Sequence, residues 1–309
     1  MALLITALAK QANITVAPVL ISNFMHGPTD TSIVSHAHFN HVIAYAELEN
    51  GKELWMDATD KNCAFGELPW YDQNRFVCII DQNKGKIVKT PASAASDNQS
   101  VRHWTIQVGS NGIAEGHVEI RLRGALAAEL RSDLIDVNPA NLESWLSQDM
   151  IKAFPLTHIY NLSLIGLDNP EQPLVMSMRF KMDAIDIQNE NYIALQPGLF
   201  SGFNLHKVFN TSERKYDVNL KYPVMIQDYM KIIYPDSWIA ISGISSDSVK
   251  ADYGSYYYDM DVNQPGTAYY RRTFQLNKTC IPAENYSPFR AFLFKTFQMD
   301  RNLVLYQEY

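Results

Sequence analysis

Two kinds of hydrophobic spacing divide the chain. The opening stretch MALLITALAKQA has apolar positions at helical spacing, which predicts a helix packed in a core through Met1, Leu4, Ile5 and Leu8. The stretches ITVAPVLIS (14–22), RFVCII and KIVKT are rich in β-branched residues and predict short strands. From about residue 101 the apolar spacing changes to two, as in LVMSMRFKM (174–182). Such alternation is typical of half-buried antiparallel strands.

Two further helices are predicted among these later strands. The segment ANLESWLSQDMI follows Asn138-Pro139, a favourable N-cap and first helical position, and SPFRAFLFKTFQM carries apolar residues at helical spacing. The segment PASAASDNQS (91–100) has the small, polar composition of a linker. We therefore predict an α+β chain in two parts, 1–91 and 92–309. The second is a helix-decorated antiparallel β-sandwich region, with a further division near 205–215.

The turn in AELENGKEL decides which side chains share a face of the predicted hairpin. A two-residue turn would pair Glu49 with Lys52, whereas a three-residue loop pairs Leu48 with Lys52 and puts Gly51 in the left-handed position. Only the second register makes one face uniformly apolar, with the members Val42, Ala44, Ala46, Leu48, Leu54, Met56 and Ala58. It places Asp57 opposite Ile43 and diagonal to His41, within reach of a side-chain hydrogen bond.

A histidine and an aspartate on adjacent strands form the orienting half of a nucleophilic triad. The imidazole acts as general base, and the carboxylate fixes its tautomer and stabilises its cation. A structural histidine that is satisfied by a neighbouring carboxylate fits the same spacing. A metal site formed by His36, His38 and His41 would require a bend in the chain, because His36 and His38 alternate onto the opposite face.

Composition narrows the classes of function. The net charge of −7 and the pI near 5.6 argue against nucleic-acid binding. No apolar run is long enough to span a membrane, and the opening stretch lacks the basic region of an export signal. Three cysteines without a CxxC pair exclude a zinc ribbon and a dense disulfide framework. We expect neither a cofactor nor a metal.

The run FNHVIAYAELENGKELWMDATDKNCAFGELPW resembles the second half of the catalytic core of transglutaminase-like cysteine peptidases, a branch of the papain-like superfamily. The opening helix and first strand resemble the preceding part of that core. The later segments ERKYDVNLKYP and PAENYSPFRAFLFKTFQMDRNLVL are similar to a β-rich domain of unknown function that follows the core in large bacterial proteins.

The resemblance implies a Cys–His–Asp triad, with His41 as general base, Asp57 as its orienting acid, and Trp55 and Asn40 lining the cleft. It also implies a protein or peptide substrate and an extracytoplasmic location. The family's cysteine stands at the N-terminal end of the core helix, where the helix dipole lowers its pKa. Cys63, Cys78 and Cys280 do not match that position, so none is assigned as the nucleophile. The opening helix has no N-cap residue, and we expect the nucleophile upstream of Met1.

Two functions remain open from the sequence. The first is a piece of a transglutaminase-like peptidase or acyl-transfer enzyme that is inactive without its thiol. The second is a non-catalytic relative that keeps the fold for binding or scaffolding. A carbohydrate platform on SYYYDMDV is disfavoured, because only Tyr257 points away from the apolar face formed by Tyr256, Tyr258 and Met260.

Overall fold

The computed structural model of the 309-residue chain is mostly β-sheet with a few helices. It describes all residues except 28, 31, 34, 81–84, 112, 154–157, 184, 190–191, 199–208, 210, 243–244 and 309. The helices of the described residues are α1 (Ala2–Gln11), α2 (Ala125–Leu134), α3 (Leu142–Ala153) and α4 (Tyr286–Asp300). Short 3-10 helices lie at Phe24–His26, His36–His38, Trp70–Asp72, Pro139–Asn141 and Ala283–Asn285.

The strands form separate sheets before and after residue 91. In chain order, those described are β1 (Ala17–Ile21), β2 (His41–Glu47), β3 (Glu53–Met56), β4 (Phe76–Ile80), β5 (Gly85–Lys89), β6 (Gln99–Val108), β7 (Ile113–Leu122), β8 (His158–Ile165), β9 (Leu174–Asp183), β10 (Ile185–Asn189), β11 (Tyr192–Leu195), β12 (Val218–Asn219), β13 (Val224–Ile233), β14 (Trp238–Ser242), β15 (Asp247–Ala251), β16 (Gly254–Gln264), β17 (Thr267–Leu276), β18 (Cys280–Ile281) and β19 (Val304–Glu308).

The first sheet has the order β3-β2-β1-β4-β5 and is antiparallel throughout. Its predicted turn is present: Leu48 N–H donates to the Lys52 carbonyl at 2.9 Å, and Gly51 has a φ of 75°. Glu47 pairs with Glu53 and Ala44 with Met56, so the predicted register is confirmed. This register brings the start of β2 beside the end of β3.

The burial of that hairpin differs from the prediction. The face predicted to be the core is only partly covered, with Leu48 39% exposed, whereas Ile43 and Trp55 on the opposite face are buried. Those two residues belong to a core together with Val19, Ile21, Leu68, Val77 and Ile79. The segment between β3 and β4, which contains Leu68, contributes to this core and thereby covers the face that also carries Asp57.

The prediction of a core-packed α1 is wrong. The helix contacts β1 and β2 and buries Ala2, but Leu4 and Leu8 are 53% and 61% exposed. Helical spacing alone identifies an apolar stripe. It does not establish that another element covers that stripe.

After residue 91, an eight-stranded sheet has the order β15-β16-β17-β13-β6-β7-β9-β8. The prediction of a wholly antiparallel region is wrong here, because β6 and β13 pair in parallel, Gln99 with Met225 through Gln107 with Ile233. A smaller sheet has the order β10-β11-β19-β14, and β12 pairs with β18.

The alternation predicted for β9 is confirmed, since its five inward residues Leu174, Met176, Met178, Phe180 and Met182 are all buried. In β16, Tyr256 and Tyr258 are buried and Tyr257 is 44% exposed, also as predicted. Both predicted helices are present as α3 and α4, and Asn138 caps the turn before α3 by accepting from Ala140 N–H. The helix α2 was not predicted.

Five of the eleven residues in the predicted division near 205–215 lie outside the described residues, and the division stays a prediction, as does the boundary at 91. Residues 91–98 form the predicted loop, but Ala95 and Asn98 are buried in it. Asn98 Nδ2 donates to the Pro223 carbonyl at 2.9 Å, which fixes the loop to the later strands. None of the helices in the described part of the chain is long and apolar enough to cross a membrane.

Candidate functional site

His41 and Asp57 meet where β2 begins and β3 ends. Because Ile21 of β1 pairs with His41, the imidazole stands beside the middle strand of the sheet. His41 Nε2 and Asp57 Oδ2 are 2.9 Å apart, and their side chains are 23% and 1% exposed. The hydrogen bond expected from the strand register is therefore present, with a buried acceptor and a partly accessible imidazole.

Thr59 holds the Asp57 carboxylate in place. Its backbone N–H donates to Oδ1 at 2.9 Å, and its hydroxyl lies 2.8 Å from Oδ1 and 2.9 Å from Oδ2. The signal in the sequence is the Asp-Ala-Thr order, which is typical of a turn closed by an aspartate side chain two residues before a backbone N–H. The turn orients one carboxylate oxygen toward His41.

The contacts within the pair favour its charged form. The hydrogen bond to Asp57 raises the pKa of His41, although burial acts in the opposite direction. Burial alone would raise the pKa of Asp57, but hydrogen bonds from His41 and Thr59 outweigh it and lower that pKa. With Nε2 held by the carboxylate, Nδ1 is the ring nitrogen left for proton exchange with another group.

A third carboxyl group, Asp72, lies against this pair. Asp72 ends the 3-10 helix Trp70–Asp72 and is completely buried. Ligand atoms of His41, Asp57 and Asp72 lie within 4.8 Å of one another. Sequence analysis missed Asp72, because it lies in a turn-rich segment without periodicity.

The three ligand atoms could in principle hold a divalent cation. However, His41 Nε2 and Asp57 Oδ2 are at hydrogen-bond distance, an arrangement that a shared proton explains. The alternative of three histidines is not supported. Within the described part of the chain, His36, His38 and His41 do not form a ligand cluster, and His36 and His38 lie in a separate 3-10 helix.

The two residues predicted to line a cleft lie in different surroundings. Trp55 is 3% exposed, packs on Tyr45 at 4.7 Å between ring centroids, and donates its indole N–H to Glu53. Asn40 is exposed, its side-chain oxygen accepts from the Asn23 backbone N–H, and its side-chain nitrogen donates to the Asn23 side-chain oxygen. Their cleft-lining role stays a prediction, and the burial of Trp55 does not favour it.

Neither Cys63 nor Cys280 has the lowered pKa of an activated nucleophile. Burial, together with the nearby carboxylates Asp60 and Glu67, raises the pKa of Cys63. Burial and Asp217 raise the pKa of Cys280, which lies far along the chain in β18. Cys78 lies within β4.

A cavity of about 440 Å³ lies between the first sheet and the β-rich region. Asp60, Cys63 and Tyr71 line its first wall, and Ala125, Glu129 and Lys221 line its second. Neither His41 nor Asp57 is among the described residues that line it, so the pair lies outside this cavity.

Comparison with known proteins supports the fold of both regions. Residues 190–305 match the model of a family described as "Domain of Unknown Function with solved-structure structure (DUF3858)". No curated protein matches the chain. A crystal structure described as "a putative protease" from Parabacteroides distasonis ATCC 8503 is similar to 99% of this chain, with a TM-score of 0.53 and 10% identity. The match covers 43% of that longer chain, so this chain spans less than half the length of its structural neighbour.

Proposed function

We propose that this chain carries the general base and orienting acid of a transglutaminase-like cysteine peptidase or acyl-transfer enzyme. The observation that carries the proposal is the 2.9 Å contact between partly exposed His41 and buried Asp57. The similarity in fold to the crystal structure described as "a putative protease" is consistent with it. The thiol would come from a segment of the full-length gene product outside the 309 residues.

In this proposal each nitrogen of His41 has its own task. With Nε2–H donated to Asp57, Nδ1 accepts the thiol proton, and the resulting thiolate attacks the carbonyl carbon of a peptide or side-chain amide. The tetrahedral adduct collapses as His41 returns that proton to the leaving amine, which leaves a thioester. Water or a second amine then attacks the thioester, giving hydrolysis or transamidation. Asp57 stays ionised throughout and stabilises the imidazolium.

The test compares the full-length gene product with its His41→Gln and Asp57→Asn variants on fluorogenic peptides and on incorporation of a labelled amine. We expect each variant to lower kcat/KM by about 10²–10⁴-fold, the usual contribution of a positioned base or its orienting acid. His36→Gln is the matched control and retains activity, because His36 lies outside the pair.

Two results would overturn the proposal. One is full activity in His41→Gln. The other is a folded full-length product that shows neither activity and whose thiols are all unreactive toward iodoacetamide at neutral pH. The second result would leave binding or scaffolding as the function of this fold.

A further inference from the structure

Asp72 is a buried carboxyl group without a hydrogen-bond donor. Its side chain is inaccessible to solvent, and neither carboxylate oxygen receives a hydrogen bond from the described residues. Its backbone, in contrast, is well held, since the carbonyl accepts from Thr90 Oγ1 at 2.7 Å and the N–H donates to Pro69. The fold therefore fixes the position of Asp72 while leaving its carboxyl oxygens without donors.

An ionised Asp72 would be costly at this position. A buried carboxylate without donors loses its hydration and gains nothing in return. Asp57, within 4.8 Å, already bears a negative charge that His41 and Thr59 stabilise. Two carboxylates this close do not both ionise, and the one with donors retains the charge.

Other charged groups around Asp72 do not stabilise its ionised form over its neutral form. Arg75, just before β4, is the nearest cation on its own side, but its guanidinium donates to the backbone carbonyls of Ser22 and Gly27. His41 faces Asp72 from β2 and pairs with Asp57. The Asp60 carboxylate accepts from Tyr71 and adds further negative charge nearby.

We propose that Asp72 is a positioning residue that stays protonated and donates its O–H to Asp57, so that Asp57 holds the single carboxylate charge beside His41. Consistent with this geometry, burial and the neighbouring Asp57 raise the pKa of Asp72 to about 8. A second negative charge would hold His41 in its protonated form and stop it from accepting a proton. The catalytic consequence rests on the proposed function, whereas the protonation state of Asp72 does not.

The test is carboxyl ¹³C and imidazole ¹⁵N NMR of the 309-residue chain between pH 5 and 9. We expect the Asp72 carboxyl signal to remain that of the neutral acid at pH 6, where Asp57 is ionised. Asp72→Asn replaces one neutral hydrogen-bond donor by another. Below pH 7, the titration curve of His41 should therefore be the same in this variant as in the unmodified chain. Asp60→Asn is the control for loss of a nearby charge.

An ionised Asp72 would give the opposite result. Removing a charge roughly 5 Å from His41 would weaken its proton affinity by about 100-fold at an effective dielectric constant near 20. That change in Asp72→Asn, or an ionised Asp72 signal at pH 6, overturns the inference. The carboxyl spectrum of the unmodified chain decides the matter even if the variant does not fold. It is also independent of any enzymatic assay, so a failed proposed function and a failed inference are distinguishable.

Discussion

At the scale of single residues, His41 and Asp57 each depend on the charge of the other. A raised histidine pKa adds stability that is complete below the unfolded pKa, near 6.5, and is lost as pH rises through the folded value. A lowered aspartate pKa adds stability that is complete above the unfolded pKa, near 3.8, and is lost as pH falls through the folded value. The pair therefore stabilises the fold most between about pH 4 and 6.5.

Replacing Asp57 by Asn should lower the proton affinity of His41. The variant removes both the charge and the accepting oxygen that favour imidazolium, and we expect a decrease of at least about tenfold. Imidazole ¹⁵N NMR titration measures it. Asp72 could ionise in place of Asp57 in this variant, so the double variant Asp57→Asn/Asp72→Asn is titrated alongside it. An unchanged midpoint in the double variant would show that the 2.9 Å contact does not influence His41.

Cys63 should be slow to react, in keeping with its exclusion as the nucleophile. Burial raises the pKa of the Cys63 thiol. Cys280 is exposed, and its pKa is raised by a smaller amount. Since each pKa unit lowers the thiolate fraction about tenfold, we expect iodoacetamide at pH 8 to modify Cys280 more than about tenfold faster. Peptide mass spectrometry after timed quenching measures both rates, with Cys280→Ser as control. Faster modification of Cys63 than of Cys280 would make Cys63 a candidate nucleophile.

At the scale of elements, the β2–β3 hairpin shows what local sequence determines. Asn50-Gly51 and the alternation around it determine the register, so the contact between His41 and Asp57 could be predicted. The same reasoning could not predict Asp72, because its approach depends on how an aperiodic segment folds over the sheet. It also missed α2, whose buried residues are three alanines, Arg131 and Leu134, too few large apolar side chains to mark a helical stripe.

The left-handed conformation of Gly51 provides a test of that register. Its φ is 75°, and a Cβ added there meets nothing within 4 Å. A substitution is therefore destabilising only through backbone strain. Gly51→Ala should destabilise the protein by about 1–2 kcal/mol, and Gly51→Asn by less, because Asn tolerates this conformation better. Urea unfolding measures both. Equal losses in the two variants would argue against the three-residue loop.

At the scale of the whole molecule, contacts between distant parts of the chain organise the β-rich region. The parallel pairing of β6 and β13 joins residues on both sides of the predicted division near 205–215. Alternation predicted the buried faces of β9 and β16, but β13 was not predicted, and no local signal states which strand lies beside which. The similarity of nearly the whole chain to one solved structure extends across both sides of that division as well.

A buried charge network connects these distant strands to α4. Asp228 Oδ2 accepts from Arg102 at 2.7 Å and from Arg272 at 2.8 Å, and Arg272 also contacts Asp300 at 2.9 Å. Two arginines and two aspartates thus balance their charges inside the protein. Breaking a buried set by removing one member is far more damaging than replacing the whole set with apolar residues.

Asp228→Ala should therefore destabilise the protein by about 3–5 kcal/mol, because it removes the carboxylate that both buried guanidinium groups contact. The matched control is Asp259→Ala, which removes the partner of Arg271 on the exposed face of the same sheet, where the two side chains are 24% and 62% exposed. That pair should contribute less than about 1 kcal/mol, since solvent screens it. Urea unfolding of both variants gives the comparison. Similar losses would mean that burial does not set the strength of the network, whereas a large difference would identify Asp228 as the residue that joins β6, β13 and β17.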